Sequence, residues 1–108
     1  MIDAARIDSA RHQWEEGRRR LDAVGVETAR ARHLRLLVDA VTDELRRRVG
    51  QTFTLAELAD AYAGSEQWAR EVVADATPSR PRADIRDTAL VLDAAFALYA
   101  RGAVDYSP

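Results

Sequence analysis

Residues 7–24 read IDSARHQWEEGRRRLDAV, and within them Ile7, Ala10, Trp14, Gly17, Leu21 and Val24 recur at steps of three and four. That spacing is one side of an α-helix over about five turns, in the heptad rhythm by which helices pack on helices. Gly17 falls on the seam itself. A glycine inside a helix weakens it by up to about 1 kcal/mol, so its place here makes sense if it admits a close neighbouring backbone. Trp14, set beside small Ala10 and Gly17, has the form of an anchor. Gly25 follows the last periodic residue, where a left-handed C-terminal cap belongs.

The next stretch, from about Glu27 to Val49, repeats the signal. Ala31, Leu34, Val38, Val41, Leu45 and Val49 form a stripe widened by Leu37, and Gly50 closes it after Arg46, Arg47 and Arg48, cations suited to the negative end of a helix dipole. Two long helices joined by a short turn imply an antiparallel helical hairpin over residues 1–50.

Residues 51–76 carry a short helix pair. Phe53-Thr54-Leu55-Ala56-Glu57-Leu58 is a capping-box phrase, with Thr54 as N-cap, Glu57 three residues on, and Phe53 and Leu58 placed as a hydrophobic staple. The helix should end near Ala63-Gly64, with Ser65 capping a second one whose Trp68 and Val72 point inward. Residues 77–83, TPSRPRA, break the pattern as a linker. A final helix over 84–102 places Ile85, Ala89, Leu92, Phe96 and Tyr99 on one side, broadened by Leu90, Val91 and Leu98. A helix apolar over more than half its circumference is usually central in a bundle. Residues 103–108 read as a tail. The expectation is one all-α domain across 1–108, a small helical bundle of five helices.

Composition narrows the function classes. The 108 residues carry 16 Arg, no Lys, 18 acids and no Cys, for a net charge of −2. The absence of Cys removes disulfides and thiolate metal sites. No stretch approaches the roughly 18 apolar residues of a membrane span, and no basic-then-apolar leader opens the chain, so a cytoplasmic setting is expected. Residues 1–50 hold eleven Arg against nine acids and residues 51–108 five Arg against nine acids, giving +2 and −4. Within the clusters Arg18-Arg19-Arg20 and Arg46-Arg47-Arg48, the pairs Glu15–Arg19, Glu16–Arg20, Asp43–Arg47 and Glu44–Arg48 have the acid-first i,i+4 spacing that stabilises helices. Four of the six cluster cations thus have a local partner, which argues for a solvated, salt-bridged face; Arg18 and Arg46 are less clearly neutralised and, with Arg30, Arg32 and Arg35, offer a basic ridge as the lesser reading.

Chemistry has little to stand on. His12, Glu15 and Glu16 share a helix face, but no zinc-site spacing accompanies them, and the five Gly stand singly rather than in a phosphate loop. No catalytic residue, cofactor, metal or small-molecule substrate is expected. The reading is therefore a non-enzymatic helical protein–protein interaction or regulatory module whose partner is another protein or a second copy of itself. Ile7, Ala10, Trp14, Gly17, Leu21 and Val24 are the candidate interface, and a homodimer through that seam is one form of it. The alternative is a helix-turn-helix protein of DNA or transcription, in which Gln67 and Arg70 read bases while Arg80, Arg82 and Arg86 hold phosphates. The C-terminal −4 disfavours it, because a polyanion is repelled there.

Overall fold

A computed structural model describes residues 4–76 and 85–104, with the side chains of Ile85 and Arg86 left out. Among these residues there are five helices and no strand: α1 (Ala4–Val24), α2 (Ala29–Val49), α3 (Leu55–Tyr62), α4 (Ser65–Ala76) and α5 (Ile85–Ala100). The chain is the small all-α bundle its periodicity implies. No described helix is long and apolar enough to cross a membrane. The linker 77–83 and residues 105–108 of the expected tail lie outside the described residues.

Local chemistry sets the helix limits. Gly25 and Gly50 adopt φ of +85° and +89°, which stop α1 and α2 where a side chain would be strained. Thr28 starts α2 by accepting the amide of Ala31 at 3.0 Å. That cap sets the first residue slightly later than the apolar pattern suggests. The capping box of α3 is formed in full. Thr54 Oγ1 accepts from the Glu57 amide at 3.1 Å, and the Thr54 amide donates to Glu57 Oε1 at 3.3 Å. Phe53 and Leu58 are both buried.

Ser65 differs from the expectation. It is the first residue of α4, fully buried, and its hydroxyl donates to the Tyr62 carbonyl at 2.6 Å, so it satisfies the end of α3 instead of capping α4. Along α4, Ala69 and Val73 join Trp68 in the core and Val72 is half-buried, a rotation of the inward face by one residue.

The two long helices do not spend their seams chiefly on each other. α1 packs mainly on α5, α2 packs on α5 and α4, and the direct α1–α2 contact is slight. Directions follow from residue pairs. Gly17 lies against Asp93, and Trp14 stacks near Phe96, so α1 and α5 run antiparallel. Arg30 meets Asp87, and Gly50 meets Tyr99, so α2 and α5 run parallel. The hairpin is thus antiparallel but splayed, with α5 wedged along it. Val91, Leu92, Ala94, Ala95, Phe96 and Ala97 of α5 are all buried, as a central helix requires, while Ala89 and Leu98 of the expected stripe are exposed.

Gly17 makes the wedge possible. A β-carbon built there would stand 2.4 Å from Cβ of Asp93 and 3.1 Å from the backbone nitrogen of Ala94. The two backbones approach to a distance that only glycine permits. Gly17→Ala is expected to destabilise the fold by about 1–3 kcal/mol through overpacking, despite the gain of about 1 kcal/mol that alanine brings to a helix. Urea unfolding checks this; a more stable variant would show that the close approach does not exist.

Candidate functional site

Each residue of the candidate seam has an intramolecular place. Ala10, Trp14, Gly17 and Leu21 are buried, and Ile7 and Val24 are partly buried against the same core. Trp14 is 1% exposed and sits in an aromatic group. Its ring is edge-on to Tyr62 at 5.6 Å and tilted on Phe96 at 5.3 Å, and Tyr62 meets Phe96 edge-on at 5.0 Å. Such pairs add to stability beyond the area they bury. Any partner at this seam would have to displace α5.

The helix-turn-helix candidates are brought to one surface only in part. Gln67 and Arg70 are both exposed on α4, with Arg70 3.9 Å from Glu66. Glu66, Glu71 and Asp75 are exposed on the same helix, so its outer face is acidic where phosphate contacts would need cations. Arg80 and Arg82 lie outside the described residues, and of Arg86 only the backbone is described.

The arginine clusters are neutralised more completely than i,i+4 counting suggests, as a salt-bridged face requires. Arg18 reaches Glu15 and Asp22, each at 2.7 Å, and Glu15 foremost raises its pKa. Arg46 pairs with Asp43 at 3.0 Å. Glu16–Arg20 and Glu44–Arg48 form as spaced, but Arg19 and Arg47 choose the acid three residues back, Glu16 and Glu44. Arg30 pairs with Asp87, while Arg32 and Arg35 donate to the carbonyls of Glu27 and Gly25. These are exposed pairs worth little individually, and they leave no concentrated positive field. Arg48 also lies 4.8 Å above the Trp68 ring, at a groove between α2 and α4.

His12 is exposed, and no group of three or more His, Asp or Glu among the described residues is placed to hold a metal ion.

Two features escaped the sequence. In the first, Tyr62 donates to Asp93 Oδ1 at 2.6 Å beside the Gly17 contact. Burial pushes the Tyr62 phenol well above its ordinary value, and Asp93 adds to the shift by holding its proton and by its charge. Burial also raises the Asp93 carboxyl, against the opposing pull of Tyr62 and of Arg20. The signal was an acid inside the apolar run Leu92-Asp93-Ala94.

The second is a groove of about 450 Å³ between α2 and the end of α5, lined by residues that include Asp39, Thr42, Arg46, Phe53, Leu98 and Tyr99. Phe53 and Tyr99 stack at 4.8 Å, the Val104 amide donates to the Phe53 carbonyl at 2.8 Å, and the Tyr99 hydroxyl donates to the Gly50 carbonyl. The groove wall is therefore fixed at its α5 end. Leu98 is 38% exposed within it, and Leu36, one turn before Asp39, is 56% exposed.

No family model, curated protein or solved structure matches this chain.

The raised Tyr62 pKa has a sign. Between its unfolded value near 10.0 and its higher folded value, the unfolded chain loses a proton that the folded chain keeps, so stability falls as pH rises through that window. The urea midpoint of the wild type is expected to drop between pH 9 and pH 11 more steeply than that of Tyr62→Phe; parallel declines would show that Tyr62 ionises freely in the fold.

Proposed function

We propose that this chain is a non-enzymatic helical interaction module of the cytoplasm that docks a helix of a partner protein, in a regulatory or scaffolding role. The observation that carries the reading is the α2–α5 groove. It joins an apolar wall of Phe53, Leu98 and Tyr99 to a rim bearing Asp39 and Arg46, with no ion partner for Asp39 among the described residues. Large exposed apolar side chains are few, and two of the three described ones are Leu98, in the groove, and Leu36, one turn before Asp39 on α2. An amphipathic helix suits it, because apolar anchors at helical spacing fill a groove while the rim charges fix direction. Asp39 favours a helix that presents a base to it, while Arg46, seven residues on, is already paired with Asp43.

The buried seam of α1 supports this choice of surface over the seam, since Trp14 and Leu21 are occupied by the chain itself. Homodimerisation is then one variant of the same docking, through the groove.

Leu36→Glu combined with Leu98→Glu changes exposed positions and should keep the helical spectrum. Capture of a defined partner by the wild type and by the distant control Gln67→Glu, with its loss in the double variant, is the expected result of a pull-down with mass spectrometry. Equal capture by all three would contradict the assignment. A wild-type mass of twice 12.0 kDa in light scattering that halves in the double variant would give the groove to a second copy.

A further inference from the structure

Away from the α2–α5 groove, α1 and the end of α5 enclose a cavity of about 260 Å³ with the start of α3. Its apolar wall is Trp14, Leu55, Ala97, Ala100 and Ala103, and its polar residues are Arg11, Glu15 and Arg101. Arg11 and Arg101 are ninety positions apart in the chain. They come together because α1 and α5 run antiparallel. Neither has an ion pair among the described residues, although nine other arginines there do. Glu15 also lines the cavity; its carboxylate lies 2.7 Å from Arg18 and forms no ion pair with Arg11 or Arg101. Trp14 borders the cavity while remaining 1% exposed, and its indole Nε1 is buried without a hydrogen-bond partner.

We infer that this cavity is a binding site for a small carboxylic acid with an apolar body. Two guanidinium forks suit one carboxylate, which they grip in a planar, bidentate manner. An inorganic anion would leave the wall of Trp14, Leu55 and three alanines unused, and a neutral apolar molecule would leave both cations unpaired. The volume lies below the roughly 300–1,000 Å³ of drug-sized pockets, so the acid is a small one, such as a medium-chain or single-ring carboxylate. The site is independent of the docking groove, so either assignment stands if the other fails.

Octanoate is the probe. Titrated into isotope-labelled protein, it is expected to move the Trp14 ring resonances in a saturating manner and to leave those of Trp68 in place. Arg11→Gln and Arg101→Gln, at exposed positions, should keep the helical spectrum and each weaken binding by about ten-fold, the equivalent of one lost charge-assisted hydrogen bond. Octan-1-ol and inorganic phosphate should fail to reproduce the shifts. No saturating shift with octanoate, equal binding of octan-1-ol, equal binding of phosphate, or octanoate binding unchanged in both arginine variants would each overturn the assignment.

Discussion

The contact between Gly17 and the backbone at Asp93–Ala94 organises the molecule. Because one residue of α1 has no side chain, α5 can lie against α1 at a separation that any β-carbon would forbid. With α5 seated there, Trp14 reaches Phe96, and Tyr62 of α3 closes over both rings. The same seating half-buries Asp93, whose carboxylate takes the Tyr62 hydroxyl and so ties the short helix pair to the long ones. α2 then covers the other side of α5, with Leu34, Val41 and Leu45 fully buried. α1, α2 and α3 are thereby positioned against α5, and α4 completes the cover through Trp68 and Val73.

Much of this is legible in the residues. The steps of three and four from Ile7 to Val24 mark a helix, Thr54 and Glu57 mark a start, and Gly25 and Gly50 mark stops, because each signal is local and acts within one or two turns. The apolar breadth of 85–99 marks a central helix. What periodicity cannot say is which neighbour takes which seam. By spacing alone the α1 seam fits α2, α5 or another molecule, since a heptad stripe specifies a complementary surface and not its owner. Gly17 held the answer in principle, but the residues that meet it, Asp93 and Ala94, are distant in sequence. Ser65 misled for a local reason. A hydroxyl beside a tight turn satisfies either the helix after it or the one before, and here the Tyr62 carbonyl won. Arg18 and Arg46 appeared free because i,i+3 and base-first partners were not counted.

The functional surfaces were the least legible. The candidate seam turned inward, and the acidic outer face of α4 opposes a polyanion. The α2–α5 groove, like the Arg11–Arg101 cavity, is built from segments widely separated along the chain and exists only once α5 is in place. The arginine richness, meanwhile, is a property of ion-paired helix surfaces. Fully paired clusters add solubility and modest helix stability. Arg32 and Arg35 have carbonyl partners instead, whereas the side chains of Arg11 and Arg101 at the α1–α5 cavity have neither an acid nor a carbonyl among the described residues, which makes them informative.

The fold depends most on α5 being the intramolecular partner of the α1 seam. Isotope-filtered nuclear Overhauser spectra on a mixture of labelled and unlabelled protein separate contacts within a chain from contacts between chains. Strong intramolecular cross-peaks from the Gly17 α-protons to Asp93 Hβ and the Ala94 amide are expected, since a β-carbon at Gly17 would lie 2.4 Å and 3.1 Å from the atoms that bear those protons. Their absence, or their appearance only between chains, would contradict the arrangement and return the seam to the surface as an interface.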